Sequence, residues 1–328
     1  MDLTVCIVTW NSQKFIRECL KCLQEQTLND FELLIIDNAS SDRTCDIIKE
    51  EYPLAKIIKN EKNLGFCGGH NLGISLSEGK FYMPLNPDVF VEKDFLENML
   101  LTIKSKKRVG MVSGKLLRFD LEKKKKTDII DSTGVYFKKN RRSLDRGAEE
   151  VDIGQYDKKE YVFGASGAAP LYNKQMLQDI RINGEYFLEY FFAYREDVDL
   201  AWRAQHRNWQ CIYCPSAVAF HVRHNTPLKR NEMSEMVNMH SVKNRILLEL
   251  QNETRYALFR DGIFFITYDL MIFIAVLLKE KTSLPAFKFI IMNFKYILQV
   301  RKQIMSRNLM DSKKMLLWFG RKKSFPIQ

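Results

Sequence analysis

A chain of 328 residues with 46% hydrophobic and 28% charged residues is too apolar for wholesale disorder and long enough for one large α/β domain with an appendage. The net charge of +11 is concentrated, with 18 basic and 8 acidic residues from Thr226 to Gln328, so residues 1–225 are close to neutral. Seven cysteines without a disulfide-like spacing, and a start "MDLTVCIVTW" with no basic leader segment, point to a reducing cytoplasmic interior.

In chain order, "LTVCIVTW" predicts a buried strand, and Ser12 offers an N-cap to a helix whose Phe15, Ile16, Cys19, Leu20 and Leu23 share one face. "FELLII" predicts a second strand ending at Asp37, then a helix from Asp42 to Glu51 and a third strand in "AKIIKN". A Gly-rich turn follows, opening a helix near His70, and "KFYMPLN" predicts a fourth strand. This alternation predicts an α/β fold, a Rossmann-like, mostly parallel sheet with helices on both faces. Ligands gather at the carboxyl ends of such strands, where Asp37 and Asp88 stand. Pro84 inside the fourth strand removes a ladder donor, so that strand is expected to bulge or to lie where the donor has no partner.

From Lys104 to Glu160 the many charges predict loops and hairpins around the strand "VGMVSGKLL", with Lys123 to Lys126 on a solvated loop. Beyond Asn225 the texture becomes helical. "IFFITYDLMIFIAVLL" (residues 263–278) is apolar but short for a span of roughly 20 residues, and it carries Asp269 near its middle. Phe287, Ile290, Ile291, Phe294 and Leu298 then form one apolar stripe, with Lys288, Lys295 and Lys302 elsewhere on the wheel. Such a basic amphipathic helix suits an anionic membrane surface; a helical bundle packed on the first domain is the alternative. The expected organisation is one α/β domain over 1–225 and a helical membrane-associating region over 226–328, peripherally attached to the inner face of the cell membrane.

Four features concentrate the chemistry. "DNASSDRT" places Asp37 at a strand end; "NLGFCGGHNLGI" supplies glycines for close backbone approach to a ligand; "LNPDV" supplies Asp88; "YREDVDLAWRAQ" sets Glu196 and Asp197 at the start of a helix. In that helix Trp202 is expected in the core, Asp199 on the surface or at the cap, and Arg203 within reach of Asp199 at i,i+4.

The segments "VTWNS", "DNASSD", "NLGFCGGHN", "LNPDV", "GASGAAPLYNKQML", "EDVDLAWR" and "FHVRHNT", in this order over residues 3 to 226, resemble the family 2 glycosyltransferases of the GT-A fold, and within them a bacterial rhamnosyltransferase-like group. The resemblance implies a nucleotide-diphospho-sugar donor, dTDP-L-rhamnose in the first place, and a glycan or lipid-linked glycan acceptor. It also implies a divalent metal, Mg²⁺ or Mn²⁺, on the diphosphate. Asp88 matches the last acid of the family's metal motif, with Asn86 in place of the first. A neutral amide should weaken the metal site. Asp37, with the main chain of Thr9, Trp10 and Asn11, would line the nucleobase pocket, although Asp37 also suits a cap for the turn at Ala39 to Ser41. Asn38, Asn63, Gly65 and Asn71 join the donor side. Asp197 matches the catalytic base of an inverting transfer, its charge favoured by the helix dipole, and Glu196 would orient the acceptor. Gly164, Ser166 and Gly167 resemble the glycine loop between acceptor and donor. His221 matches a histidine that reaches the metal or the diphosphate, and His224 competes for that place.

Two rivals read less well. Cys211-x2-Cys214 with His221-x2-His224 has zinc-site residue types, but six residues separate the pairs and a strand would point the cysteines to opposite faces. The basic tail suits nucleic acid poorly, because its aromatics fall on the apolar stripe and do not alternate with exposed cations.

Overall fold

The computed structural model describes residues 1–223, 230, 233–320 and 324–327, so His224 lies outside the described residues. Strands β1 (Leu3–Thr9), β2 (Phe31–Asp37), β3 (Lys56–Lys59) and β4 (Phe81–Pro84) alternate with helices α1 (Ile16–Gln24), α2 (Thr44–Glu51) and α3 (Gly65–Leu76). The chain continues through β5 (Val89–Val91), α4 (Phe95–Lys104), β6 (Val109–Asp120), β7 (Lys125–Ser132), β8 (Val135–Phe137), β9 (Ser143–Asp145) and β10 (Glu160–Val162). Then come β11 (Leu171–Asn173), α5 (Lys174–Ile180), α6 (Glu196–His206) and β12 (Gln210–His221). Five helices follow, α7 (Glu235–Asn252), α8 (Arg255–Lys279), α9 (Leu284–Met292), α10 (Phe294–Ser306) and α11 (Ser312–Leu316), before the short strand β13 (Phe325–Pro326).

The large sheet runs β13-β10-β12-β6-β11-β4-β1-β2-β3, with β5 beside β12 and β7 beside β6. β4, β1, β2 and β3 are mutually parallel, as is the β6–β12 pair, while β11 enters antiparallel between β4 and β6. Period-two alternation distributes each central strand to two apolar layers. Val5 and Ile7 of β1 join Ile212 and Cys214 in one layer, whereas Cys6 joins Cys211 and Tyr213 in the other. Cys211 and Cys214 thus fall on opposite faces, which removes the geometry a zinc pair would need.

Several local expectations change. The Gly-rich segment is the first turns of α3, not a turn before it. The reason is that Gly65, at φ +70°, lets the chain pass Phe192, whose ring and carbonyl would stand 2.6 Å from an added Cβ. The lysine run occupies the β6–β7 hairpin, where Lys123 pairs with Asp120 and Lys126 with Glu92. Pro84 lies past the last β4–β11 pair, Tyr82 with Tyr172, so its missing donor leaves no gap in the ladder. Trp202 is fully buried, but so is Asp199, which pairs with Arg203 at 2.7 Å inside the core and not on the surface.

The tail departs most. The expected single amphipathic helix is two, broken at Asn293, and the face that packs is Ile290, Ile297, Val300 and Ile304. Ile291, Phe294 and Leu298 of the expected stripe stay exposed. Packing against α7 chooses the face here, which periodicity alone cannot rank. Leu247, Leu248, Val300, Met315 and Phe319 share one core with Phe137, Phe163 and Trp202. The two regions divided at Asn225 therefore share a core.

Residues 1–225 expressed alone should aggregate or bind a hydrophobic dye, because Trp202 and Phe137 lose their cover. A soluble 1–225 fragment with the near-UV circular dichroism of a packed aromatic core would contradict the shared core.

Candidate active site

β4 delivers its end to a tight turn, Asn86 to Val89, closed by the Val89 N–H on the Asn86 carbonyl at 3.1 Å. Asp88 in that turn is held from the other side by the Val222 N–H on its carbonyl at 3.0 Å, and β5 pairs Val89 with His221 of β12. The sheet thereby brings His221 Nε2 to 3.7 Å from Asp88 Oδ1. His221 Nδ1 faces Asp131 Oδ2 at 2.8 Å, and Asp131 is wholly buried at the end of β7. Burial works against charge on the imidazole, but the Asp131 carboxylate, then Asp88, outweigh it and raise the His221 pKa. Arg223, two residues along, pairs with Asp131 at 3.0 Å and with Asp145 at 2.9 Å.

The donor set fits a hard divalent cation. Asp88 and His221 face one another, the His221 ring is oriented by a buried carboxylate as metal-bound histidines usually are, and the Asn86 amide is bonded by none of the described residues. Among the described residues there is no group of three or more His, Cys, Asp or Glu able to hold a metal by themselves. That suits Mg²⁺ or Mn²⁺ with phosphate oxygens completing the shell, more than a closed protein site.

Asp197 stands in the first turn of α6. Its Oδ2 accepts the Gly167 N–H at 2.7 Å and its Oδ1 accepts its neighbour's, from Val198, at 2.8 Å. An added Cβ on Gly167 would sit 3.3 Å from Oδ2, so a glycine lets the amide come this close. Burial raises the Asp197 pKa to about 6, helped by the Asp145 charge and opposed by the two amides and the Arg195 guanidinium. The helix position alone led to the opposite expectation. Glu196 is buried deeper, has one oxygen with no partner, and is pushed well above the usual carboxylate range, first by burial and then by Asp197. Of the two adjacent acids, Asp197 ionises first.

The loop from Gly164 to Pro170 joins the two centres. Gly167 donates to Asp197, and the next residue, Ala168, accepts the Asn86 N–H at 2.9 Å. Gly164 lies so close to α6 that a Cβ would meet that of Ala201 at 2.4 Å, and Ser166 is partly exposed between them.

Asp37, at the end of β2, spends both oxygens internally, on the Thr9 hydroxyl at 2.9 Å and the Ser40 N–H at 3.1 Å. Trp10 is 53% exposed beside it, and Asn11, at φ 50°, receives the Ser41 N–H on its Oδ1. Asn38 bridges Asn60 and the Gly65 carbonyl, and Asn63 accepts the Gly65 N–H. Asn71 is turned to another task, with its amide bonded to the backbone of Tyr186 and Phe187 and to the Glu189 carboxylate. Asp131, Asp145, Arg223 and Arg195 were missed by sequence reasoning. "DIIDST" carries the same signal as Asp88, an acid closing an apolar run, and period two places His221 and Arg223 on one strand face.

Before α6 the backbone is unusual. Phe192, Tyr194 and Arg195 take φ of 66°, 71° and 66°, a left-handed conformation costing roughly 1–3 kcal/mol each for such residues.

The family model described as "Glycosyl transferase family 2" matches residues 4–180. A transferase of Methanococcus voltae named for a dolichyl N-acetyl-glucosaminyl phosphate and a diacetamido-dideoxy-glucuronosyl group is 33% identical over 107 residues, 30% of this chain and 33% of that protein. The matched segments span about a third of the curated relatives' length. Among solved structures, S. aureus TarS 1–349 in complex with UDP-GlcNAc superposes at a TM-score of 0.59 with 16% identity, covering 94% of this chain and 84% of that one. The mannosyltransferase PcManGT from Pyrobaculum calidifontis, in complex with GDP-Man and Mn²⁺, gives 0.54 with 15% identity, covering 96% and 87%. The expected fold, a GT-A sheet with a C-terminal helical region, is the fold these structures share.

A raised folded pKa means that Asp197 supports folding below its unfolded value near 4, and that this support is lost as pH rises through about 6. Asp197→Asn should therefore stabilise the fold more at pH 8 than at pH 5, by about 1 kcal/mol after discounting for its partial exposure, seen as a larger rise in melting temperature at pH 8. Thermal melts at both pH values check this; an equal shift at both would refute the elevated pKa.

Proposed function

This chain belongs to glycosyl transferase family 2, and from that premise we propose that it is an inverting glycosyltransferase moving a sugar from a nucleotide-diphospho-sugar to a hydroxyl of a polysaccharide or lipid-linked glycan. The observation that carries the reading is the single loop that ties the Asp88 turn to Asp197 through adjacent residues, Gly167 and Ala168. An inverting transfer needs the diphosphate end of the donor and the base for the acceptor at a fixed separation.

Asp197 takes the proton of the acceptor hydroxyl. Its pKa near 6 leaves it mostly ionised at neutral pH yet more basic than an ordinary carboxylate. Glu196 keeps its proton longer, and its unpartnered oxygen can hydrogen-bond an acceptor hydroxyl. Asp88 and His221, with Asn86, would hold Mg²⁺ or Mn²⁺, which when bound supplies positive charge to the departing diphosphate. Asp131 keeps the His221 ring turned toward Asp88. On the donor side, Thr9, Trp10, Asn11, Asp37 and Asn38 shape the pocket at the ends of β1 and β2, Asp37 by holding the turn to Ser40. The donor we place first is dTDP-L-rhamnose, ahead of hexose, galactofuranose and N-acetylhexosamine donors.

We further place the protein on the cytoplasmic face of the cell membrane through α8. The helix is long and apolar enough to cross a bilayer, with a mean hydropathy of 2.0 over 18 of its residues, but it is pinned to the protein. Asp261 pairs with Arg141, and Asp269 with Arg245 at 2.7 Å. A helix held along its length in this way lies on a membrane more readily than it crosses one. Phe259, Ile263, Leu270 and Leu278 stay more than half exposed, and Lys288, Lys295 and Lys302 of α9 and α10 are exposed as well.

Incubation with dTDP-rhamnose, UDP-GlcNAc, UDP-galactofuranose and GDP-mannose, with and without Mg²⁺ or Mn²⁺, should release nucleoside diphosphate from one donor. Asp88→Ala and Asp197→Asn should each lower that turnover by about 100-fold; wild-type rates in both would end the assignment, and tight binding without release would make this a binding protein. Phe259→Ser with Ile263→Ser changes two exposed side chains and should abolish flotation with phosphatidylserine vesicles, whereas unchanged flotation would remove α8 from the membrane contact.

A further inference from the structure

The strained segment before Asp197, which like Asp197 lies beyond the matched residues 4–180, is held by α7 of the C-terminal helical region. On α7, the Asn244 side-chain NH2 shares its two N–H bonds among three carbonyls of the loop, those of Phe191 (3.0 Å), Ala193 (2.8 Å) and Tyr194 (2.7 Å). Lys243 beside it donates to the Tyr190 carbonyl, and one turn earlier His240 stacks on Phe192 with ring centres 5.3 Å apart. Phe192 is fixed on its other side by the Cys67 N–H on its carbonyl at 3.1 Å. Asn244 itself is fully buried. Four carbonyls between Tyr190 and Tyr194, those of Tyr190, Phe191, Ala193 and Tyr194, thus point at one helix, Phe192 and Tyr194 in this segment have positive φ, and Arg195 follows as the left-handed residue preceding α6. Without those donors the segment would lose the bonds that tie it to α7, and the loop would relax toward ordinary φ values.

We infer that Asn244 is a positioning residue for the base, its amide imposing the backbone path that sets Asp197 opposite Gly167. This rests on the reading of Asp197 as the base. Asn244 touches no reacting atom in this assignment; it acts only through the loop. A helix from the C-terminal region, outside the residues 4–180 that match the family model, is then part of the catalytic apparatus.

The test is Asn244→Ala in the full chain, alone and combined with Asp197→Asn, read by hydrogen exchange and by steady-state kinetics on the donor that turns over. Amides from Phe192 to Asp197 should exchange faster, kcat should fall about 10- to 100-fold, and the donor KM should stay within about 2-fold. In the Asp197→Asn background the second substitution should cost nothing more, because both act at one point. Unchanged exchange, unchanged kcat, or losses that multiply in the double variant would each overturn the inference. If Asn244→Ala does not fold, Asn244→Ser, which keeps one donor, carries the same comparison. Should Asp197→Asn turn over like the wild type, the base assignment fails and this inference with it; a normal Asn244→Ala beside an inactive Asp197→Asn sinks the positioning role alone.

Discussion

Two hydrogen bonds on neighbouring residues hold this molecule's chemistry together. The Gly167 N–H on Asp197 and the Asn86 N–H on the Ala168 carbonyl are separated by one peptide unit. A peptide unit is planar and nearly inextensible, so the acid on the α6 side and the acid on the β4 side cannot drift apart independently. Everything nearby serves that link. β11 enters antiparallel next to β4, Pro84 ends the ladder where the loop must cross, and glycines at 164 and 167 let it lie against α6.

A second chain of contacts runs through charge. His221, Asp131, Arg223 and Asp145 alternate in sign potential from the Asp88 turn toward Asp197, and Asp145 contributes to the raised pKa of Asp197. Because Asp131 is wholly buried, its charge is sustained by its two hydrogen-bonded partners and by Arg118 at 3.7 Å, not by water. Loss of either partner would leave a buried carboxylate under-compensated, which ties the protonation behaviour of one end to the integrity of the other.

Much of this was legible in the sequence for a physical reason. Strand runs of β-branched residues that stop at an acid mark the edge of a parallel sheet, so Asp37 and Asp88 could be placed without coordinates. Asp197 was singled out by the family resemblance of "EDVDLAWR", and the Asp199–Arg203 pair followed from helical spacing. What could not be read was which side of an amphipathic pattern finds a partner. Asn71 looked like a ligand group and is consumed by the Tyr186–Glu189 segment; Asp199 looked superficial and is in the core; the tail's apolar stripe suited a membrane or a bundle, and of it Ile290 packs while Ile291 and Leu298 stay exposed. Each is a question of tertiary contact, which local periodicity leaves open. Asn244 carried no signal, since one asparagine in a helix is ordinary until three carbonyls are found around it.

The order of these parts along the chain has a consequence for biosynthesis. Asp197 leaves the ribosome some fifty residues before Asn244, and the β10 edge waits for Phe325 and Pro326. A nascent chain therefore holds both acids before it holds α7, and the Tyr190–Tyr194 segment takes its packed path only once that helix has been made.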